Sequence, residues 1–392
     1  MTRHASPADL RQASVPERKL ELSTMLARLH GRTSHHLSAS ECETMTVADL
    51  LGLADAEDTT RWENLRLSYT DPLGAPWLRE TISRHYAGVG PDALVCFAGA
   101  QEGLYAVLHA LLRPGDHAVV VVPGYQSVET LALGLADVTG VALDAGRGWS
   151  LDIEEVAAAI RPGTRVVCVS FPNNPTGKLL EPERFQALVA LCRHHGIWLV
   201  SDEVYRLTER DPARRLPPAS DAYERGVSIG VLSKAYGLPG LRVGWVACQD
   251  AGLIGRITAF RQYLSVCSAG PSEVLANIAL KATEAITGRN RRLADANLAL
   301  LQAMLARHPA LFDWVAPDGG VVGYVRLRGS DGRGAEGVER FVLRMAEEAG
   351  VLLLPASVFR SDLVPLPPDR FRIGFGHAGV PAGLAAMEAA LR

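Results

Sequence analysis

The most chemically suggestive residue of the sequence is a lysine that follows an apolar segment. Residues Val227 to Leu232 favour a buried strand, and Ser233 and Lys234 come directly after it. Desolvation lowers the pKa of an amine, and a neutral amine can attack a carbonyl carbon. Arg242 follows across a glycine-containing turn, where its guanidinium can hold a phosphate with two parallel hydrogen bonds. The pair therefore indicates a Schiff base with a phosphorylated aldehyde such as pyridoxal phosphate. The alternative is a loop lysine beside a structural arginine.

A second polar position follows the strand predicted to end at Ser170. The segment 171–177 reads Phe-Pro-Asn-Asn-Pro-Thr-Gly, and its prolines restrict the backbone on both sides of the asparagines. Ligands of parallel sheets bind at the carboxyl ends of the strands. A rigidly held Asn174 side chain could therefore donate to a phenolate oxygen of a cofactor. The alternative is a structural turn closed by the asparagine side chain.

A third position, Asp202, ends the apolar segment 198–201. A carboxylate that is removed from water needs a cationic partner, and a protonated pyridine nitrogen would serve. The carboxylate would keep that ring protonated, which makes the ring an electron sink. Tyr205 lies three residues further on and could hydrogen-bond another ring oxygen. The alternative for Asp202 is a helix N-cap.

Three more features fit a planar, phosphorylated ligand and an amino acid substrate. The turn 98–103 joins a predicted strand to a predicted helix, which leaves free N–H groups for an anion, or is an ordinary turn. Tyr125 follows a strand and could stack on a flat ring, or pack in the core. Arg372 alternates with Phe371 and Ile373, so it lies on the other face of its strand. An arginine in that setting needs an anion, and a substrate carboxylate would supply one.

The elements around these positions alternate regularly. Seven apolar segments between residues 94 and 247 alternate with helical patterns, which predicts an α/β fold with a mostly parallel sheet covered by helices. We assign this seven-stranded sheet to a large domain of residues 56–285. Residues 286–392 predict a smaller α/β domain, in which 314–327 forms two short strands around Gly319 and Gly320. The N-terminal segment 1–55 is expected to join the small domain.

Composition excludes several classes of function. The formal net charge of −3 gives no reason to expect nucleic acid as a partner, and no apolar segment is long enough to span a membrane. The six cysteines are scattered, with neither a C-x-x-C pair nor a secretory signal, so we predict a cytoplasmic protein with no metal site.

Taken together, the motifs resemble the class I/II aminotransferases, which are fold-type-I pyridoxal-phosphate enzymes. Four of them, Asn-Asn-Pro-Thr-Gly, Ser-Asp-Glu-Val-Tyr, Ser-Lys-Ala-Tyr-Gly-Leu-Pro-Gly-Leu-Arg-Val-Gly and Phe-Arg-Ile-Gly-Phe, occur in the family's order and spacing. The resemblance implies that Lys234 carries the cofactor, that Asp202 pairs with its pyridine nitrogen and that Arg372 binds the substrate carboxylate. It further implies a homodimer with shared active sites. The remaining implied cofactor contacts are Asn174 and Tyr205 at the ring oxygen, Tyr125 on the ring, Ala100, Gln101, Ser233 and Arg242 at the phosphate, and Tyr69 at the phosphate of the neighbouring subunit.

Two positions depart from the family pattern. Many relatives carry a phosphate-binding serine three residues before the lysine, where this chain has Val231. The segment that gates the substrate is often rich in glycine and contains proline, but residues 37–45 here read Leu-Ser-Ala-Ser-Glu-Cys-Glu-Thr-Met. Glu41 and Glu43 in this segment would favour a cationic substrate such as arginine, or they form a solvated acidic loop.

The expected activity is transfer of an amino group between an L-amino acid and a 2-oxo acid. A different outcome of the same chemistry stays open, namely a cyclase, lyase or oxidase of this fold that acts on an arginine-type amino acid, as a capreomycidine-synthase-like enzyme does. A non-enzymatic regulator is a third hypothesis, but residues 1–40 are too short and too poor in helix for a DNA-binding extension.

Overall fold

The structure is a computed structural model that describes residues 20, 21, 25, 33–328 and 334–392. Its largest feature is a seven-stranded sheet with the order β1-β7-β6-β5-β4-β2-β3. The four pairs from β6 to β3 in this order are parallel, and β7 alone runs antiparallel to both of its neighbours. These seven strands are β1 (Leu94–Phe97), β2 (His117–Val122), β3 (Asp137–Ala142), β4 (Thr164–Ser170), β5 (Trp198–Asp202), β6 (Gly226–Val231) and β7 (Gly244–Ala247).

The helices of the described residues cover both faces of this sheet and continue into the C-terminal part of the chain. They are α1 (Val47–Leu51), α2 (Ala56–Glu63), α3 (Pro76–Ser83), α4 (Ala100–Leu111), α5 (Gln126–Leu133), α6 (Ile153–Ala159), α7 (Pro182–His195), α8 (Ala219–Ala222), α9 (Ala251–Tyr263), α10 (Gly270–Lys281), α11 (Thr283–Arg307), α12 (Gly334–Glu348) and α13 (Val380–Ala389).

Burial on both faces explains the uninterrupted apolar sequence of the central strands. Along β2, Val120 packs into the core on one side of the sheet, while Val119 and Val121 pack into the core on the other side. All six residues of this strand are buried. A strand covered on one face alone would alternate between apolar and polar residues. The predicted mostly parallel α/β fold is therefore confirmed.

A smaller antiparallel sheet has the order β10-β11-β9-β8 and is built from the C-terminal third of the chain. Its strands are β8 (Phe312–Asp313), β9 (Val322–Leu327), β10 (Leu354–Pro355) and β11 (Arg370–Gly374). The prediction of two strands within 314–327 was wrong for the first of them. That strand lies earlier, at 312–313, and Gly319 and Gly320 belong to a turn whose backbone approaches the β4–α7 loop at Gly177.

The described residues just before α1 contact the smaller sheet and its surroundings, while the assignment of the whole segment 1–55 to the small domain stays a prediction. His35 forms a bridge with Val351, and the carbonyl of Leu37 accepts a hydrogen bond from the N–H of Gly374. The division of the chain at residues 55 and 285 stays a prediction. Among the described residues, no helix has the length and apolar character needed to cross a membrane.

Candidate active site

A cavity of about 230 Å³ opens where several elements of the large sheet end. Ser170, Asp202 and Val231 are the last residues of the neighbouring strands β4, β5 and β6, so the sheet itself brings their side chains together. Helix α4 begins at the same edge. Nine of the residues singled out in the sequence line this cavity: Ala100, Gln101, Tyr125, Asn174, Asp202, Ser233, Lys234, Arg242 and Arg372.

Lys234 projects into the cavity from the loop after β6. Its Nζ donates a hydrogen bond to Oγ of Ser40 over 2.7 Å, and its backbone carbonyl accepts from the N–H of Cys42 over 3.1 Å. Burial lowers the pKa of the Lys234 amine, while the nearby carboxylate of Glu41 opposes that change. The amine is thus held in a defined position and deprotonates more easily than a lysine in water.

Asp202 presents its carboxylate to the cavity from the end of β5. One oxygen, Oδ1, accepts a hydrogen bond from the N–H of Val204 over 3.1 Å. Burial raises the pKa of Asp202 to about 6, although that hydrogen bond and the charge of Lys234 act in the opposite direction. A carboxylate in this position gains stability when a cation binds beside it, because the cation compensates for the lost water.

The N-terminus of α4 and the Arg242 side chain lie together at the cavity and could hold an anion. The helix has no side-chain cap, so its first N–H groups are available to a ligand. Arg242 donates to the carbonyls of Pro239 and Ala98 over 2.9 and 3.2 Å, and both of these acceptors are neutral. Gly99 has a φ of +92°, and a Cβ on it would lie 2.5 Å from Nη2 of Arg242. Glycine therefore lets the guanidinium approach the helix start, as a phosphate site requires.

Arg372 lies at the opposite side of the cavity and is only 1% exposed. Its Nη1 donates to Oδ1 of Asn174 over 3.0 Å, and its Nη2 donates to the carbonyl of Ser38 over 2.5 Å. Its Nε is buried and has no hydrogen-bond partner among the described residues. Burial lowers the pKa of this guanidinium. A buried cation whose hydrogen-bond partners are neutral oxygens is suited to bind a carboxylate.

Residues 37–43, which we call the N-terminal strap, contact both Arg372 and Lys234 and line the cavity with Ser40. The carbonyl of Ser40 accepts a hydrogen bond from the Tyr205 hydroxyl over 2.7 Å, and the N–H of Glu43 donates to the carbonyl of Gly376. The Glu41 carboxylate lies 3.6 Å from the His377 ring. Burial would raise the pKa of Glu41, but His377 and Lys234 together lower it to about 2. The strap thus places an ionised carboxylate near the lysine, and Glu41 is partly buried rather than part of a solvated loop.

Three of the predicted site residues do not line the cavity. Tyr205 is buried behind the strap, and Glu41 lies on the strap itself. Tyr69 is 88% exposed at the protein surface, away from the cavity of its own chain. Val231 does form part of the cavity wall, at the position where many relatives have serine.

One cavity residue that contacts a reactive group, Ser40, was not predicted from the sequence. Its signal was present, because the strap was recognised as unusual, but a serine among polar residues does not reveal its partner. The contact joins positions 194 residues apart and depends on how the strap pairs with β11.

Comparisons with known proteins agree with this geometry. Residues 36–384 match the family described as aminotransferase class I and II. The arginine–pyruvate transaminase of Pseudomonas aeruginosa is 33% identical over 82% of this chain and 81% of its own length. The capreomycidine synthase of Streptomyces vinaceus is 30% identical over 90% of this chain and 88% of its own.

The same family appears among solved structures. A PLP-dependent aminotransferase from Streptococcus suis superposes with a TM-score of 0.88 and 27% identity, over 96% of this chain and 98% of its own. An amine nucleophile, a buried carboxylate and a phosphate cradle at one cavity are what such an enzyme needs. The chain belongs to the class I and II aminotransferase family and is a pyridoxal-phosphate-dependent aminotransferase.

Proposed function

We propose that Lys234 holds pyridoxal phosphate covalently and that the other cavity residues fix its orientation. The phosphate would bind at the start of α4 and at Arg242, with Ser233 beside them. Asp202 would pair with the pyridine nitrogen, which would relieve the strain of a buried, unpaired carboxylate. Asn174 would lie toward the ring oxygen and Tyr125 would stack on the ring, while Tyr205, whose hydroxyl donates to the carbonyl of Ser40, would hold the strap beside them. When bound, the cofactor supplies a carbonyl that condenses with amines and a ring that accepts electrons.

The chain's own residues then bind the substrate and move its proton. The Arg372 guanidinium binds the α-carboxylate of the amino acid and so points the Cα–H bond toward Lys234. The Lys234 amine, once free, accepts that proton as a general base and later returns a proton as a general acid. The strap excludes water from this exchange, since it covers the amine and the guanidinium together. The observation that carries this proposal is that Lys234 and eight other residues from distant parts of the sequence line one cavity.

For the amino donor we propose a long, cationic L-amino acid, with arginine as the first candidate and pyruvate as the first acceptor. Two observations support this choice. The Pseudomonas aeruginosa relative is named for that pair of substrates. In this chain, Glu41 is ionised and lies on the strap next to Ser40, which lines the cavity. A guanidinium side chain could pair with that carboxylate.

A second candidate function is cyclisation, elimination or oxidation of an arginine-type amino acid. The similarity to the capreomycidine synthase of Streptomyces vinaceus over 90% of the chain supports this second candidate. The same lysine and the same carboxylate-binding arginine would serve these reactions. The two functions differ only in where the electrons go after proton removal.

We further propose a cytoplasmic homodimer with shared active sites. Tyr69 supports this, since its large side chain is 88% exposed. Leu67, Tyr263 and Val266 are also exposed, and contact with a second subunit would remove such apolar side chains from water. In such a dimer, Tyr69 would reach the phosphate of the neighbouring subunit.

A half-reaction screen tests the proposed function. Purified holoenzyme is mixed with single L-amino acids, and the visible spectrum is followed for conversion of the cofactor to its amino form. Arginine should convert the spectrum fastest and yield the matching 2-oxo acid, and pyruvate should restore the starting spectrum and yield alanine. Release of ammonia or consumption of oxygen instead would favour the second candidate. No spectral change with any amino acid would contradict both.

A further inference from the structure

The hydroxyl of Ser40 is held in place beside the Lys234 amine. Nζ of Lys234 donates to Oγ of Ser40 over 2.7 Å, the carbonyl of Ser40 accepts from Tyr205, and its N–H donates to Glu41. Cys42, two residues further along the strap, donates its backbone N–H to the backbone carbonyl of Lys234. The backbone of Ser40 is therefore fixed on both sides, so that only rotation about its Cα–Cβ bond is left to the hydroxyl.

This contact affects the two protonation states of the amine differently. A hydroxyl oxygen that accepts from an ammonium forms a stronger hydrogen bond than one that accepts from a neutral amine. Apart from the burial that disfavours the charge, the groups facing Lys234 are Glu41, Asp202 and Cys42, which raise its pKa, and Arg372, which lowers it. The Ser40 hydroxyl favours the ammonium form, so it acts on Lys234 in the same direction as these acidic groups.

We propose that Ser40 is a positioning residue for Lys234, whose hydroxyl binds the ammonium form and orients its remaining N–H bonds toward the substrate. The inference rests on the proposed role of Lys234. When the Lys234 amine takes the proton from Cα of the substrate, its lone pair forms a new N–H bond. The C–H bond breaks, and the electron pair of that bond stays with the substrate. The new ammonium has three N–H groups, and Ser40 holds one of them. The other two then point into the cavity, where the proton must be returned.

The first test measures how fast the cofactor-free full-length chain condenses with pyridoxal phosphate across a range of pH. In this step an N–C bond forms, the carbonyl oxygen leaves as water, and only the unprotonated amine attacks. Without the hydroxyl, the ammonium loses a stabilising partner. The plot of condensation rate against pH should therefore move to lower pH by about one pH unit in Ser40→Ala. At a pH below the midpoint of both plots, the variant should condense up to ~10-fold faster than the wild type.

Two control variants are measured alongside Ser40→Ala. Ser40→Thr keeps a hydroxyl and should give the wild-type profile. Thr44→Ala removes an exposed hydroxyl from the residue that directly follows the strap, and it should also give the wild-type profile. A profile of Ser40→Ala that coincides with the wild type, or moves to higher pH, would overturn the proposal.

The second test uses holoenzyme and the amino acid half-reaction. Ser40→Ala should be slower here by about 10-fold and show a larger isotope effect with an α-deuterated donor, because the protonated amine is less stable. Faster condensation with slower proton transfer is the expected combination, whereas a variant with a damaged fold would be slower in both. If borohydride reduction of wild-type holoenzyme labels a lysine other than Lys234, the proposed function fails. If it labels Lys234 but Ser40→Ala behaves as wild type in both tests, only the inference on Ser40 fails.

Discussion

Replacement of Arg372 by glutamine tests how the substrate is bound. The guanidinium is only 1% exposed, and its two hydrogen-bond partners are neutral oxygens. A substrate carboxylate would therefore meet a guanidinium that donates to no acid among the described residues, and it would form charge-assisted hydrogen bonds away from water. Removing one partner of such a buried pair costs about 3–4 kcal/mol, which corresponds to a roughly 10²- to 10³-fold loss in kcat/KM.

The assay compares two donors with each enzyme. For the amino acid, Arg372→Gln should lose kcat/KM by the stated factor. For the corresponding amine, which lacks the α-carboxylate, the slow wild-type rate should change little in the variant. The visible absorbance of bound cofactor should be the same in both enzymes. Arg326→Gln serves as the matched control, since Arg326 pairs with Asp369 at the surface of the same sheet.

The reasoning on Arg372 would be refuted by a loss smaller than about 10-fold with the amino acid. It would equally be refuted by a loss of the same size with the carboxylate-free amine. The first result would mean that another group binds the carboxylate. The second would mean that Arg372 supports the fold of the site rather than the substrate.

Three further predictions follow from the cavity and its strap. Arg242→Gln should raise the Kd for pyridoxal phosphate by about 10-fold or more in an absorbance titration, while the Kd for unphosphorylated pyridoxal should not change. Gly99→Ala should lower the melting temperature and weaken cofactor binding, because its Cβ would lie 2.5 Å from the Arg242 guanidinium. The third concerns the pair of His377 and Glu41. The facing Glu41 carboxylate raises the pKa of His377. Protonated His377 therefore stabilises the fold fully below pH 6.5, and this contribution is lost as pH rises through the raised pKa. Glu41, with its pKa lowered from 4.5 to about 2, contributes fully above pH 4.5 and loses its contribution as pH falls toward 2. The difference in melting temperature between wild type and His377→Gln should hence be largest between about pH 4.5 and 6.5, and a difference that does not vary with pH would contradict this pairing.

The fold was predictable because its signals are local and repeated. Continuous apolar strands such as His117–Val122 and the helices between them specify a parallel sheet, and parallel topology then places the strand ends together. The strand near 314 was misplaced since short antiparallel strands such as Phe312–Asp313 have almost no local pattern. The strand is defined by the pairing of Phe312 with Leu327 and of Asp313 with Arg326.

The candidate site was predictable where a charged residue that is costly to bury lies at the end of an apolar strand or just after it, as Asp202 and Lys234 do. Contacts made by the strap were not predictable, because they depend on which loop crosses the cavity. The sequence indicates that Glu41 is acidic, but only the fold brings it to His377 and gives the carboxylate its lowered pKa. Ser40 is the same case, and its partner lies 194 residues away.

The most direct test of the account is to identify which lysine carries the cofactor. The chain has only four lysines, Lys19, Lys178, Lys234 and Lys281. Lys178 and Lys281 are ion-paired with aspartates at other places in the fold. Holoenzyme is reduced with borohydride, digested and mapped by mass spectrometry. The account predicts a phosphopyridoxyl group on Lys234 alone and none in Lys234→Ala; an unmodified Lys234, or a label on another lysine, would contradict it.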